Sequence, residues 1–309
     1  MTKLSFRSVG ECMAELQLAT DGLYGLAFGG DTLNTSWYVR AIAAADKIDL
    51  EYVTALGSDP LSDRLMSFLK DHQIGTKFIR EVPDRNIGLY LISLAGAERS
   101  FTYWRNYSAA KLLAENLPLL SRALSGADVI YFSGITLAIL APEHRQILLR
   151  ELQSLKARGS IVAFDSNARP RLWFSEQDMK EATVLGYRSS TIALPTFADE
   201  QAIFGDATKA DCARRIASYG VREVIVKDGA LSSCGLIDGE VIEATPPPVT
   251  NAVDTTGAGD SFNAGYLVGR MAKLEPRAAT CLAHKVAGRV ICHRGALVPM
   301  SLFSDLRLT

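Results

Sequence analysis

Short apolar runs in the second half of the chain constrain its fold more than any other feature. They cover residues 129–133, 161–165, 191–194 and 224–227, and stretches with helical spacing separate them. A strand with one solvated face alternates apolar and polar side chains, whereas a parallel strand covered on both faces is apolar throughout. The chain therefore predicts an α/β fold, with a doubly wound, mostly parallel sheet and helices on both of its faces. Ligands of such a sheet bind at the carboxyl ends of the strands.

Residues 88–105 interrupt this alternation and predict a β-hairpin. If the turn is centred on residues 96–97, Tyr90 faces Tyr103, and both share one face of the hairpin with Arg105. A face packed on the core is the alternative interpretation. Arg105 argues against it, because a charged side chain in a core needs a partner.

A small β-sheet lid follows from this hairpin and the turn-rich segment before it. We expect the lid to consist of about residues 12–30 and 76–108, inserted in a single domain that spans residues 1–309. An exposed lid sheet can pair with a second copy, so a homo-oligomer formed through the lid is expected. Two dipeptides predict hairpin turns, namely Asp21-Gly22 and Asp238-Gly239.

Several helix starts are also predicted. Asp31 is the expected N-cap of a helix over residues 31–45, and Pro60 is expected at the first position of the next helix. Ser175 and Thr208 are each followed by an aspartate three residues later, which is typical of capping boxes.

The composition excludes several classes of partner. Lys and Arg total 33 against 34 Asp and Glu, so the net charge of −1 predicts no basic surface for nucleic acid or a membrane. The longest uncharged run, residues 129–142, is shorter than the ~20 residues of a membrane-spanning helix. Arg7 and Glu11 come too early for a signal peptide. Five scattered cysteines predict buried thiols in a reducing compartment, so we expect a cytoplasmic protein.

Residues 254–262 carry the most specific chemical signal. They contain a Gly-Ala-Gly sequence at 257–259, then Asp260, and they continue into a stretch with helical spacing. Glycines let backbone N–H groups approach a ligand, and a helix N-terminus favours an anion. A carboxylate beside an anion site is costly unless it accepts a proton from a hydroxyl group that attacks a bound phosphate. Alternatively, Asp254 or Asp260 only caps the helix.

The same run resembles the C-terminal signature of the ribokinase-like (PfkB) sugar kinases. Residues 29–34, Gly-Gly-Asp-Thr-Leu-Asn, are similar to the N-terminal signature, so the resemblance covers nearly the whole chain. It implies that Asp260 is the catalytic base and that backbone amides hold the charge that develops on the transferred phosphate. The implied catalytic residues are Asp260, Gly257, Ala258 and Gly259.

A second polar cluster follows the predicted strand at residues 161–165. Asp165, Asn167 and Arg169 are expected at the carboxyl end of the sheet, unless they form only an Asx turn with a solvated arginine. Arg169 and Arg105 come from separate parts of the chain, and a guanidinium group matches a carboxylate with two parallel hydrogen bonds. An acidic sugar needs such a pair of arginines, whereas a neutral sugar does not.

Four segments narrow the resemblance to family members that phosphorylate 2-dehydro-3-deoxy-D-gluconate, namely residues 30–36, 103–106, 133–140 and 169–173. It implies transfer of a phosphoryl group from ATP, with Mg²⁺, to the 6-hydroxyl group. A kinase of a neutral ketose such as fructose and a non-catalytic sugar or nucleotide sensor are the alternatives. The implied substrate contacts are Gly29, Gly30, Asn34, Tyr90, Tyr103, Arg105, Asp165, Asn167, Arg169 and Asp260.

The nucleotide site rests on the resemblance alone, since no P-loop or Gly-x-Gly-x-x-Gly motif occurs. The implied ATP contacts are Thr196, Lys227, Gly229, Gly257, Gly259, Asn263 and His284. As alternatives, Lys227 only reaches water and His284 is structural.

The metal site departs from the family pattern. Many members carry Asn-x-x-Glu, which organises Mg²⁺ and phosphate through water, whereas this chain has Thr196 and Asp199 at the matching positions. Shorter oxygen ligands still suit Mg²⁺ through water, so Asp199, and secondarily Asp254, are the expected metal residues. The alternative is that Asp199 and Glu200 lie on the surface. The loop at residues 294–296 resembles a monovalent-cation site.

Overall fold

The computed structural model describes residues 3–18, 22–95 and 98–308. The strands are β1 Leu4–Val9, β2 Met13–Leu18, β3 Tyr24–Gly29, β4 Ile48–Leu56, β5 Gly75–Glu81, β6 Gly88–Ala95, β7 Glu98–Trp104, β8 Val129–Ser133, β9 Ile161–Asp165, β10 Ile192–Ala193, β11 Glu223–Val226, β12 Ser233–Ile237 and β13 Glu240–Ala244. The helices are α1 Asp31–Ile42, α2 Pro60–Asp71, α3 Leu117–Leu124, α4 Gly134–Ile139, α5 Pro142–Ala157, α6 Glu176–Arg188, α7 Phe197–Phe204, α8 Lys209–Ser218, α9 Ala258–Met271 and α10 Pro276–Val290.

Nine strands form the main sheet, in the order β13-β12-β11-β10-β9-β8-β1-β4-β5. Their pairings are parallel except for those of β12 and β13 at one edge. From β1 the chain adds β4 and β5 on one side and β8 to β11 on the other, so the strand order reverses beside β1. The predicted doubly wound, mostly parallel sheet is confirmed, and its carboxyl edge is the expected place for ligands.

Two apolar layers cover the sheet, and alternate residues of each strand point to one or the other. All five residues of β8 are buried. Tyr131 packs in the layer formed with α1, α9 and α10, whereas Ile130 and Phe132 pack in the layer formed with α3, α5 and α8. Burial of each large apolar side chain contributes about 1.5–3 kcal/mol, which explains why these short strands are apolar throughout.

A second sheet of four strands stands apart from the main one, in the order β3-β2-β6-β7. Tyr90 of β6 is paired with Tyr103 of β7, as predicted, and their ring centroids are 5.8 Å apart. The predicted turn at Gly96 lies outside the described residues, as does Asp21 of the other predicted turn. Residues 76–81 belong to β5 at the edge of the main sheet, so the second segment of the small sheet begins at Gly88 rather than near 76.

The predicted helix and turn signals have mixed outcomes. Asp59 caps α2 by accepting hydrogen bonds from the backbone N–H groups of Leu61 and Ser62, with Pro60 at the first position as predicted. The prediction that Asp31 caps α1 is wrong, because Gly30 is the N-cap residue and Asp31 is the first residue of the helix. Ser175 and Thr208 each accept the predicted capping bond, and Asp238 and Gly239 form the hairpin turn with φ of 46° and 94°.

Three of the five cysteines are buried, whereas Cys281 is exposed and Cys292 is half-buried, so the prediction of buried thiols holds for part of the set. In the described part of the chain, each helix is too short or too polar to cross a membrane.

Candidate active site

A buried polar network lies at the carboxyl ends of the parallel strands. Asp165 ends β9 and Lys227 directly follows β11, and they are 3% and 6% exposed. The ammonium group of Lys227 lies 2.8 Å from Asp165 Oδ2 and 2.9 Å from Asn263 Oδ1. Asn263 on α9 donates from its amide to Asp165 Oδ2 at 2.6 Å and to the Tyr131 hydroxyl at 3.1 Å. Lys227 therefore does not simply reach water, and its charge is paired inside the protein.

The N-terminus of α9 opens beside this network. Gly257 is the N-cap residue, with φ of 78°, and a Cβ atom there would lie 2.9 Å from the carbonyl oxygen of Ala296. This position therefore requires glycine. A Cβ atom on Gly259 would lie 3.6 Å from the Lys227 ammonium. A helix N-terminus and a lysine side chain thus adjoin one another, which is an arrangement suited to an anion.

Asp260 lies in the first turn of α9, and its carboxylate points towards α1. Asn34 donates from its side-chain amide to Asp260 Oδ2 at 2.8 Å, and the Thr35 hydroxyl donates to the backbone carbonyl of Asp260 at 3.2 Å. The interpretation of Asp260 as a helix cap is wrong, because its carboxylate is held by the side chain of another helix. The Gly-Gly-Asp-Thr-Leu-Asn sequence and the Gly-Ala-Gly-Asp sequence therefore meet in space.

Burial, together with the negative charge of Asp31, raises the pKa of Asp260 to about 7, while the hydrogen bond from Asn34 opposes this shift. Burial also raises the pKa of Asp31. A carboxylate with a pKa near the working pH is well matched to a general base, because a substantial fraction is ionised and the ionised group still binds a proton well.

The segment after β9 forms an Asx turn, in which the Asn167 N–H donates to Asp165 Oδ1 at 3.1 Å. Asn167 has a φ of 33°, and its side-chain amide donates to Asp31 Oδ2 at 2.8 Å, which ties this loop to α1. Arg169 is exposed and donates to the carbonyl oxygen of Ala168. The Asx turn and the solvated arginine of the alternative interpretation are therefore both present. Because Arg169 is exposed, it also remains accessible to a ligand.

Two predicted substrate residues lie on the small sheet, and a third, Arg105, directly follows its strand β7. Tyr90 donates a hydrogen bond from its hydroxyl to Glu15, and a Cβ atom on Gly29 would lie 2.6 Å from that hydroxyl oxygen. Tyr103, on the same face, is 51% exposed. Arg105 forms an ion pair with Glu11, a carboxylate that the motifs did not single out. Arg105 and Arg169 have separate partners here, since Arg169 donates to its own loop.

The residues predicted for ATP fall into two groups. Thr196 pairs with Lys227 in a β-bridge at the carboxyl edge, and Gly229 follows with φ of 54°. His284 is buried, and its Nε2 lies 3.0 Å from the Ser233 hydroxyl and 3.2 Å from the Ala244 carbonyl. Burial lowers the pKa of His284. Its surroundings agree with the structural alternative rather than with a ligand wall.

A groove of about 760 Å³ lies on the outer side of α10, next to the loop that precedes α9. Its lining joins apolar residues, among them Pro247, Val249 and Leu302, to four charged or titratable side chains, which are Lys285, Arg289, His293 and Asp305. These residues carry no motif, so only the proximity of the two segments in the fold reveals them.

The expected metal residues differ in their surroundings. Asp199, on α7, accepts the backbone N–H of Ala168 at 3.2 Å through Oδ2, and burial raises its pKa. Glu200 is fully buried and bonded to Tyr187 and Arg215, so the alternative interpretation, that it lies on the surface, is wrong. Asp254 accepts from Thr256 through Oδ1 and from the Gly295 N–H through Oδ2, which fixes two loops together.

A sequence profile described as pfkB family carbohydrate kinase matches residues 4–301 of the chain. The chain belongs to this family. Its members bind ATP and Mg²⁺ and transfer a phosphoryl group to a sugar or sugar derivative, which agrees with the resemblance drawn from the two signatures.

Relatives within the family differ in how much sequence they share with this chain. The 2-dehydro-3-deoxygluconokinase of Haemophilus influenzae is 39% identical over 99% of both chains, and that of Dickeya dadantii is 38% identical over 97% of this chain and 98% of the relative. A fructokinase of Klebsiella pneumoniae is 26% identical over 97% of both chains.

Solved structures of the family share the fold. A fructokinase from Xylella fastidiosa with bound ATP superposes with a TM-score of 0.85 at 18% identity, over 98% of this chain and 99% of that one. A putative ribokinase II from E. coli in complex with ATP and Mg²⁺ gives 0.82 at 19% identity, over 99% of both chains. These likenesses confirm the predicted ribokinase-like fold.

Proposed function

We propose that this protein is an ATP-dependent kinase of 2-dehydro-3-deoxy-D-gluconate that phosphorylates the 6-hydroxyl group, giving 2-dehydro-3-deoxy-6-phosphogluconate and ADP. Two relatives named for this activity share 38–39% of its sequence over nearly the full length, against 26% for the fructokinase, which supports the sugar acid over a neutral ketose. The observation that carries the chemistry is the Asp260 carboxylate, held by Asn34 at the open N-terminus of α9.

In this proposal Asp260 accepts the proton of the 6-hydroxyl group as its oxygen attacks the γ-phosphate of ATP. The backbone N–H groups of Ala258, Gly259 and Asp260 hold the charge that develops on the phosphate. The N–H group of Ala258 also donates to the carbonyl oxygen of Thr255 at 3.1 Å. Lys227, next to Gly259, adds a fixed positive charge, and Asn263 and Asp165 hold its ammonium group in place. Positioning and electrostatics supply most of the catalysis in phosphoryl transfer.

We assign the sugar acid to the space between the small sheet and α1. Tyr90, Tyr103 and Arg105 approach it from the small sheet, and Gly29, Gly30 and Asn34 from the start of α1. Asn167 and Arg169 complete it from the loop after β9, with Asp165 behind them. The exposed guanidinium group of Arg169 and the face shared by Tyr90 and Tyr103 support this arrangement, because one cation and one aromatic surface suit an acidic sugar. Closure of the small sheet as a lid would exclude water as a competing acceptor.

ATP is assigned along the carboxyl edge from Thr196 and Gly229 to the N-terminus of α9. We place the adenine ring in the groove beside α10, against apolar residues such as Val249, and the hydrogen bonds of His284 to Ser233 and Ala244 favour a structural role for it. Mg²⁺ favours hard oxygen ligands, and the Asp199 carboxylate, with one oxygen bonded to Ala168, fits a role through water. Asp254 is the weaker candidate, since both of its oxygens already accept hydrogen bonds.

Two further assignments concern a monovalent cation and the oligomeric state. The loop at residues 294–296 lies against Gly257, so a monovalent cation there would act on the anion site indirectly. Exposed apolar residues on the small sheet, among them Tyr24 and Trp104, support a homo-oligomer formed through it. The cation site is tested by comparing activity in potassium salts with activity in choline salts. The oligomer is tested by measuring the mass of the protein in solution.

The substrate is tested by offering a panel of acceptors with ATP and Mg²⁺. Release of ADP measures the reaction. We expect the highest kcat/KM with 2-dehydro-3-deoxy-D-gluconate and a much lower value with fructose. Higher kcat/KM with fructose would replace the assignment by a ketose kinase. Binding of sugar and ATP without any ADP would indicate a sensor.

A further inference from the structure

Glu11 lies where the small sheet joins the main sheet. The chain passes between the two sheets through four connections, which are residues 10–12, Gly30, residues 82–87 and residues 105–108. Glu11 lies in the first connection, and its exposed fraction is 2%. A carboxylate buried to this degree is costly unless it is paired and hydrogen-bonded.

Glu11 lies against two of the other connections and against Gly88, the first residue of β6, which directly follows the third. A Cβ atom on Gly30 would lie 2.4 Å from the backbone oxygen of Glu11, and one on Gly88 would lie 2.8 Å from its Oε1. Both glycines therefore leave room for Glu11. In the fourth connection, Glu11 pairs with the guanidinium group of Arg105 and accepts a hydrogen bond from the Ser108 hydroxyl at 2.5 Å.

The pair leaves part of Arg105 available. Glu11 contacts the Nη2 atom, and a guanidinium group carries five N–H donors in a fixed plane. A second carboxylate can therefore bind at the other edge of the group while Glu11 keeps the first. The side chain of Arg105 is 10% exposed, so its direction is set by this contact rather than by solvent.

We propose that Glu11 is a positioning residue for the sugar acid. Its buried carboxylate orients Arg105 towards the carboxylate of the substrate and joins residues at the base of the small sheet, where the sheet would close. This inference rests on the proposed function, because it takes Arg105 as a contact of the sugar acid. It predicts that Glu11 acts on the KM for the sugar acid and acts through Arg105.

The first experiment compares Glu11→Gln and Glu11→Asp by steady-state kinetics. A hydrogen bond between charged groups is worth a factor of about ten to a hundred, so we expect a rise of that order in the KM for the sugar acid in both variants. The kcat and the KM for ATP should change little. Glu11→Asp keeps the charge but shortens the side chain, so a normal KM in this variant, or a lower KM in Glu11→Gln, would overturn the proposal.

The second experiment is a double-mutant cycle with Arg105→Ala. If Glu11 acts through Arg105, Glu11→Gln adds no further loss of kcat/KM for the sugar acid in that background, whereas additive losses contradict the proposal. The matched control is Glu51→Gln, which changes a half-buried carboxylate on β4. It should leave the KM for the sugar acid unchanged.

Stability is measured by thermal unfolding of every variant. If the Glu11 variants do not fold, Ser108→Ala removes one partner of Glu11 and keeps both charges, so a smaller rise in KM is expected that again disappears in Arg105→Ala. An unchanged KM in Ser108→Ala would then contradict the proposal. If Arg105→Ala alone leaves use of the sugar acid intact, the substrate assignment of Arg105 and this inference both fail. If Arg105→Ala impairs use of the sugar acid but the Glu11 variants leave its KM unchanged, this inference alone fails.

Discussion

The two sides of the candidate site are built differently. At the carboxyl edge of the main sheet, the charges of Asp165 and Lys227 are buried and satisfied within the protein. On the small sheet, Tyr103 and Trp104 are about half exposed, at 51% and 55%, and Arg105 is held by one ion pair at the edge. The first side is pre-organised before any ligand arrives, whereas the second presents surface that a ligand or a second copy can cover.

Under the proposed function, this difference separates the residues of the chemical step from those that select the sugar. Phosphoryl transfer depends on fixed dipoles and charges, so its residues belong on strands and helices that do not move. Choice of the sugar depends on contacts that form as the site closes, so its residues belong on an element with few contacts to the core. Substitutions on the main-sheet side should therefore affect kcat or stability, and those on the small sheet should affect KM for the sugar.

The largest effect is expected at Asp260. Asparagine keeps the size of the side chain and its bond to Asn34, but it cannot accept a proton near neutral pH. General-base catalysis contributes roughly 10²–10⁴-fold, so kcat of Asp260→Asn should fall by at least that order. Asp260→Asn should still bind ATP and the sugar acid, and calorimetry measures this binding. Turnover close to that of the unmodified protein would place the base elsewhere and remove the main-sheet side from the chemistry.

The second effect concerns stability. Lys227→Met leaves the Asp165 carboxylate buried without its cation, and breaking a buried pair in this way costs about 3–5 kcal/mol of unfolding free energy. Arg222→Ala is the matched control, because its ion pair with Asp238 is exposed and such pairs contribute about 0–1 kcal/mol. Denaturant unfolding measures both. Equal losses in the two variants would show that the carboxyl edge is no more pre-organised than the surface.

The sequence predicted the two sides unequally. The parallel sheet and the Asp260 run were predictable, because each depends on local patterns: apolar runs, glycines and a carboxylate next to a helix start. The pairing of Tyr90 with Tyr103 was predictable from the spacing of the hairpin alone. The limits of the small sheet were not, since β5 has the composition of a strand but its partner, β4, is fixed only by the fold.

Long-range partners were also missed. Glu11 and Arg105 are 94 residues apart, and Asn34 and Asp260 are 226 apart, so no window of sequence contains either pair. Asp31 was expected to cap its own helix because aspartate is common at helix starts. It instead accepts a hydrogen bond from Asn167, a contact that local propensity does not reveal.

A third effect tests selectivity for the sugar acid through two arginines, one directly after the small sheet and the other on the loop after β9. Arg105→Ala or Arg169→Ala should reduce kcat/KM for the sugar acid by about ten- to a hundredfold, since a hydrogen bond to a charged group is worth roughly 1.5–3 kcal/mol. The kcat/KM for fructose, already low, should change little. Lysine at either position should restore activity only in part, because it lacks the planar fork of donors. Equal losses on both sugars would mean that these arginines serve ATP or the fold.

The smallest effect is a change in pH dependence, and it comes from the main-sheet side. A base must be ionised to accept a proton, so with the pKa of Asp260 at about 7, kcat/KM should fall as the pH decreases below 7. The charges around this carboxylate are Asp31, which lies at the start of α1, Asp165 at the end of β9 and Lys227 after β11. Asp31→Asn removes one negative charge but keeps an oxygen that can accept the amide of Asn167.

Without this negative charge, the ionised form of Asp260 is more stable and the pKa of Asp260 is lower. The pH at which kcat/KM falls to half on the acid side, the midpoint of the acid limb, should therefore decrease. One neighbouring charge of about 1 kcal/mol corresponds to a shift of roughly half a unit to one unit. Asp49→Asn, a carboxylate paired with Arg7 away from the site, should leave the midpoint unchanged. An acid limb near pH 4 in the unmodified protein, or the same midpoint in Asp31→Asn, would mean that the carboxylates at this edge do not act on one another as the structure indicates.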